Sequence, residues 1–412
     1  MTEQTIAHAL GLHMHQPPGN LQLLIEDNPW EAEQIIRCYE RVPRYAAKYR
    51  DVGHLHVGFS GILLEQFLDP KIVDAYRHIV DIPAMLENYR EASNVELIGM
   101  GYYHPIFPLI PRNDWADQLQ SGRAIMQEVF GRAPKGFWPP EMAFTMEMIP
   151  ALLEAGYEYV VVDSVHVQPQ DGIHDIYRPY LACHEGHCIT VIPRDRAVSN
   201  AQESGLNPSW FANEIQLKVE QSPRPDAPRL VTTWSDGENG GWFRQTDEDS
   251  GFFGFYFAPY MERVRRGEFP SQTVSLSSYI KQHAPRDQAH VQTGAWNVGS
   301  TSGNDFAQWA GSESQRKAVA EVVAVSQRYH RLTGYKQTDP SIDELLQQAR
   351  HTLLEGETSC YLFWGDSWIP HLYEHTREAT RLLAQAEAAM AAGVAANRDI
   401  DLDRHHTRNK PK

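Results

Sequence analysis

Short apolar, β-branched runs recur along the first two thirds of the chain, and between them apolar residues return every three or four positions. The runs fall at 6–15 (IAHALGLHMH), 54–63, 95–104, 136–141, 157–164, 188–194, 229–236 and 273–280. Continuous apolar runs of this length fit strands covered on both faces. Helical spacing fills 70–90, 114–130, 147–155, 209–221 and 252–266. Strand and helix in alternation predict a parallel sheet with helices outside it. About seven such units, with no Gly-x-Gly-x-x-Gly turn, favour an α/β chain built as a (β/α) barrel over an open sheet. The stretch YLACHEGHCITVIP reads instead as a local hairpin turning at Glu185-Gly186.

After GAWNVGSTSGNDFAQWAGS the pattern changes. Residues 315–332, 342–354 and 376–391 have only helical spacing, the last rich in Ala, Glu, Leu and Arg. The expected organisation is a catalytic barrel over 1–285, a small helical domain over 286–395 that completes the cleft, and a polar flexible tail over 396–412.

Composition narrows the partners. The 412 residues are 42% hydrophobic, enough for a large core. A net charge of -16, with no basic cluster beyond Arg263, Arg265 and Arg266, argues against nucleic acid and anionic membranes as partners. The 10 Trp, 18 Tyr and 15 Phe fill a core and also suit a cleft in which sugars stack on rings. Four scattered cysteines, Cys38, Cys183, Cys188 and Cys360, do not make a disulfide framework, so reduced thiols are expected. The first residues carry no basic leader and no stretch reaches the roughly 18 apolar residues of a membrane span, so a cytoplasmic location is expected.

In a parallel βα barrel the C-terminal strand ends converge on one mouth, where chemistry takes place. The polar residues of this chain stand at those ends. His13 and His15 close the first run, His104 the third, Glu141 the fourth, Asp163 and His166 the fifth, and Asp236 and Glu238 the run RLVTTWSDGENGGWF. A carboxylate after a strand is most often a helix cap or an ion-pair partner. Glu141 resists that explanation because FWPPEMAF surrounds it with aromatics and prolines. Asp236 and Glu238 are alternate residues, so both can face the mouth if the chain stays extended. HMHQPP leaves two options open: a His-x-His holding a divalent metal, or two neutral imidazoles for a hydroxyl-rich ligand. CHEGHC is one residue short of the helical His-Glu-x-x-His spacing, and its expected role is structural.

Taken together and in order, these stretches resemble glycoside hydrolase family 57, whose members act on α-glucans. HMHQP (13–17), GMGYYHP (99–105), GFWPPE (136–141), SDGENGGW (235–242) and WGDSW (364–368) are similar to its five signatures. The resemblance implies a (β/α)7 incomplete TIM-like barrel followed by a helical domain, retaining chemistry, and no obligatory metal or cofactor. It implies that Glu141 is the nucleophile and Asp236 the acid/base. His13, His15, His104, Trp138, Glu238, Trp242 and Asp366 match positions lining the glucose-binding cleft, with Trp138 and Trp242 as stacking faces. Two departures are that some relatives carry Glu where His104 stands, and that Gly240-Gly241 replace an aromatic and Gly. The expected substrate is an α-1,4-glucan or maltooligosaccharide, and amylase is favoured slightly over 4-α-glucanotransferase. Two rivals are a metal-dependent barrel hydrolase using His13, His15, His104 or His166 with Asp236, and a non-catalytic glucan-binding protein.

Overall fold

The computed structural model describes residues 6–224, 228–296, 305–334 and 339–408. The expectations for the leader (1–5) and for the end of the tail (409–412) lie outside these. The chain divides into two compact units: Met1–Pro108 with Trp115–Phe306, and Leu109–Asp114 with Ala307–Lys412.

The first unit contains eleven described strands: β1 (Ile6–Met14), β2 (Leu55–Phe59), β3 (Val95–Gly99), β4 (Gly136–Phe137), β5 (Tyr159–Asp163), β6 (Val167–Pro169), β7 (Tyr180–His184), β8 (His187–Arg194), β9 (Leu230–Asp236), β10 (Ser271–Thr273) and β11 (Ala289–Val291). Seven run parallel in the order β9, β1, β2, β3, β4, β5, β8. The ring is not closed by pairing. Where β8 and β9 meet, the Asp195 amide donates to the Thr232 carbonyl at 2.8 Å and Arg194 Nε to the Trp234 carbonyl at 2.7 Å, with no strand ladder between them. β10 pairs only with the start of β1, below the point where β2 begins to pair.

All nine residues of β1 are buried, as a strand covered on both faces requires. Its Gly11 stands opposite Trp234, and a Cβ there would lie 2.0 Å from the Trp234 ring, so only glycine admits that indole.

Four expectations change. The run at 273–280 is a strand only to Thr273: Ser275 accepts from the Ser278 amide and caps a helix, Leu276–Gln282. Residues 70–90 form two helices, Pro70–Tyr76 and Ile82–Glu91, because the Asp81 carboxylate caps a new start. β7 and β8 form the expected hairpin, but Cys183 and Cys188 are register partners bonded as a disulfide rather than reduced thiols; Cys38 and Cys360 are free. The boundary falls at 306/307 rather than 285/286, because β11 pairs with β6 and Gly294 with Phe144 in the barrel unit.

In the second unit, helices Glu313–Thr333, Pro340–Gly356 and Ile369–Arg408 cover the three expected stretches, and a short helix, Ser359–Phe363, was not expected. Ser312 and Gln315 form a capping box. Asp114 is fully buried there and accepts from Ser326 Oγ at 2.6 Å, His330 Nε2 at 2.7 Å and the Arg350 guanidinium. The last helix runs through part of the stretch expected as a tail, and its side chains beyond Ala392 lie outside the described residues. Among the described residues no helix is long and apolar enough to cross a membrane.

Candidate active site

The site begins with a register. β9 pairs with β1 so that Asp236 stands opposite His13, and the Gly237 amide donates to the His13 carbonyl at 2.9 Å. Glu238 therefore comes opposite His15, whose amide donates to Glu238 Oε1 at 2.8 Å. The strand ends at Asp236, but one backbone and one side-chain bond keep both acids at the mouth.

The imidazoles of His13, His104 and His15 lie in near-parallel planes. Ring centroids are 4.9 Å apart for His13 and His104, and 3.9 Å for His104 and His15. His13 Nε2 and His104 Nε2 are 3.1 Å apart, a bond in which one ring donates and the other accepts. Burial lowers the pKa of all three imidazoles, and the neighbouring imidazoles lower His15 and His104 further; Asp236 opposes this at His13 and a backbone hydrogen bond at His104. They are therefore neutral hydrogen-bonding groups at pH 7. Among the described residues no group of three or more His, Cys, Asp or Glu is arranged to hold a metal ion. The metal alternative for HMHQPP gains no support. His166 is directed elsewhere, bonded to the Ala295 carbonyl at 2.9 Å.

The paired imidazoles link two carboxylates. His13 Nε2 is 3.8 Å from Asp236 Oδ1, and His104 Nδ1 is 3.9 Å from Glu141 Oε1. Both carboxylates remain reachable, with side chains 19% and 14% exposed. Glu141, Met142 and His104 have φ of 56°, 52° and 60°, in the left-handed region that non-glycine residues rarely occupy. Such strain needs surrounding structure to hold it. At Glu141 that structure is Trp296, whose amide donates to the Glu141 carbonyl at 3.0 Å and whose indole donates to Oε2 at 2.7 Å.

Burial pushes Glu141 up to about 8, helped by the charges of Asp236 and Glu203 and opposed by the Trp296 bond. Burial also holds Glu238 well above the usual carboxylate range, with Asp236 adding to it and the His15 amide opposing. Asp236 itself accepts from Asn239 Nδ2 at 2.9 Å.

The other expected residues stand in varied surroundings. Trp138 is fully buried, stacked between His13 at 5.9 Å and Trp234 at 5.1 Å, so it forms the floor under His13 and offers no face to a ligand. Trp242 is half-buried against Phe243, Phe252 and Tyr256, with its indole donating to the Gln202 carbonyl at 3.0 Å. Asp163 takes the ordinary role of a carboxylate after a strand: it caps the Val165 amide and pairs with Arg194 and Arg196. Asp366 lies in the helical unit, exposed, accepting from Ser314 Oγ at 2.6 Å.

Three contributors escaped the sequence reading. Trp296 follows the last barrel strands at no recognisable spacing. Arg194 ends β8 fully buried, its guanidinium 5.3 Å from the Trp296 ring centre. Glu203 lies on the helix Arg196–Ser204; its charge adds to the upward shift of Glu141 and favours the charged form of Arg194. A signal for Arg194 was present, since a charged residue ending an apolar run at a barrel mouth is the same pattern that marked Glu141. A separate cavity of about 210 Å³, lined by His54, Glu96, Arg132 and Lys135, opens at the opposite ends of the strands. There Glu96 is engaged by Ser275, Ser277 and Tyr159.

The seven parallel strands thus bring two carboxylates and three neutral histidines to the C-terminal mouth, the face on which barrel enzymes build their active sites. The family model for Glycosyl hydrolase family 57 matches residues 9–292, and the chain belongs to that family. An Alpha-amylase 1 from Dictyoglomus thermophilum is 22% identical over 93% of this chain and 58% of its own length. A 4-alpha-glucanotransferase from Thermococcus litoralis is 23% identical over 78% of this chain and 44% of its own. The chain thus spans about half the length of the curated relatives it matches. A branching enzyme of the family from Thermococcus kodakaraensis superposes with a TM-score of 0.70 at 16% identity, over 92% of this chain and 90% of that one, which establishes a shared fold.

Proposed function

We propose that this chain cleaves or transfers α-1,4-linked glucans with retention of anomeric configuration, with hydrolysis of the amylase type slightly favoured over 4-α-glucan transfer. Family membership supports the substrate class, and relatives named for both reactions keep both outcomes open. The observation that carries the reading is the pair Glu141 and Asp236 on either side of the His13–His104 bridge.

Glu141 Oε attacks the anomeric carbon and forms a glycosyl ester. The glycosidic C–O bond breaks, and the departing oxygen takes the proton of Asp236. Asp236, now ionised, accepts a proton from water or from a sugar hydroxyl. That oxygen attacks the same carbon and releases Glu141. Neutral His13 and His15 with Glu238 hold ring hydroxyls beside the nucleophile, and a developing positive charge on the sugar ring meets no cationic histidine.

One observation favours exchanging the two roles: burial raises Glu141 and so favours its protonated form. Azide separates the assignments. In Glu141→Ala, azide should restore cleavage and give a glycosyl azide of inverted configuration if Glu141 is the nucleophile; a retained product would make it the acid/base. Glu141→Gln should lose turnover by at least about a thousandfold with an unchanged circular dichroism spectrum. Wild-type-like activity in that variant would end the assignment. Chromatography after incubation with maltoheptaose then distinguishes the acceptors: shorter sugars alone mean hydrolysis, and a ladder above the starting length means transfer.

A further inference from the structure

His15 is held at its backbone, its face and one edge. Its amide donates to Glu238 Oε1 at 2.8 Å, its ring lies on His104 with centres 3.9 Å apart, and its Nδ1 is 2.8 Å from Ser60 Oγ. Ser60 directly follows β2, and its amide donates to the Met14 carbonyl at 3.2 Å. The same residue caps the helix Gly61–Leu68, where Ser60 Oγ accepts from the Leu63 amide at 3.3 Å. One side chain thus joins the start of a helix to the edge of an imidazole at the barrel mouth.

Ser60 is fully buried, and among the described residues its Oγ meets two groups, the Leu63 amide and His15 Nδ1. The amide can only donate. If Nδ1 also donated, the hydroxyl hydrogen would be buried with no acceptor, the costly state for a polar group. Ser60 Oγ therefore donates to Nδ1. His15 is neutral, so its single hydrogen stands on Nε2. With Nδ1 turned to Ser60, Nε2 faces the other way, and of the three stacked rings His15 is the one that keeps partial exposure.

We propose that Ser60 is a positioning residue for the reaction: by donating to His15 Nδ1 it fixes His15 as a hydrogen-bond donor through Nε2, set for an accepting oxygen of the sugar. This rests on the reading of His15 as a holder of ring hydroxyls. A hydroxyl or ether oxygen can accept from Nε2, whereas a protonated amine cannot, so the bond selects the chemistry of the group placed there as well as its position.

Nitrogen-15 NMR of protein labelled at histidine, with the His15 signals identified by their absence in His15→Phe, should show Nε2 protonated and Nδ1 unprotonated; any other tautomer overturns the inference. The second measurement uses Glu141→Gln, which should bind maltoheptaose without cleaving it. Adding Ser60→Gly deletes the hydroxyl while glycine still caps a helix nearly as well as serine, so Kd should weaken about tenfold with Tm within about two degrees. Ser60→Thr keeps the hydroxyl and should stay within about threefold of the parent. An unchanged Kd in Ser60→Gly overturns the inference. So does a tenfold loss that persists in the His15→Phe background, because Ser60 would then act by another route. If Glu141→Gln binds no glucan while NMR finds the stated tautomer, the Ser60–His15 bond stands as assigned and the glucan reading fails.

Discussion

Trp296 both fixes and tunes Glu141. Its amide holds the backbone at a φ that glutamate rarely adopts, while its indole bonds Oε2 and favours the ionised carboxylate against burial. The sign of its loss follows. Removing a donor to the charged form raises the pKa further above the ordinary glutamate value. If Glu141 must be ionised to attack, Trp296→Phe should shift the acidic limb of the kcat/KM profile to higher pH, by up to about one unit, with little change in the alkaline limb. The limb reports the coupled pair rather than one residue, so the comparison with wild type is the informative quantity. An acidic limb that stays in place would show that the indole bond does not govern the ionisation that catalysis requires.

At the scale of elements, the histidines rest on a column of packed rings. Gly11 on β1 admits Trp234 from β9, Trp234 stacks on Trp138 after β4, and Trp138 supports His13. The three rings come from three separate strand regions, so a change in one is passed on by close packing rather than absorbed. Gly11→Ala would place a methyl group inside the Trp234 ring. Overpacking of this kind costs about 1–3 kcal/mol, and here the displaced ring pushes toward the site. A drop of several degrees in Tm, together with a loss of kcat larger than the loss of folded protein, is expected from calorimetry and assays on the same sample. Unchanged kcat per folded molecule would mean that the column does not transmit the shift.

At the scale of the whole molecule, a short segment is separated in sequence from the unit to which it belongs. Leu109–Asp114 sits in sequence between barrel elements yet belongs to the helical unit, anchored by the Asp114 carboxylate among Ser326, His330 and Arg350. Burial raises the energy of that carboxylate, and the Arg350 charge with its hydrogen bonds more than compensates, holding it below its usual range. Asp114→Ala removes the buried counter-charge of Arg350, a loss of about 3–5 kcal/mol. Chemical denaturation should show the helical unit losing this stability; a change below about 1 kcal/mol would mean that the ion pair does not anchor the segment.

The sequence alone determined the parallel barrel, its mouth and most of the acidic and histidine residues there, because strand ends in such a barrel are fixed by local apolar runs that any reader of the chain can see. The hairpin around Glu185-Gly186 was equally local, whereas the Cys183–Cys188 bond within it was not inferred, since cysteine counts describe a whole chain and register describes a pair. Trp138 looked like a sugar platform because FWPPE places it beside Glu141; only packing from β1 and β9 decided that it is a floor. Trp296 reaches Glu141 from a separate part of the chain, and no spacing in one dimension encodes a distance across a barrel. What the tertiary structure decided was therefore which side chains share the mouth, because only folding brings separate strand ends together.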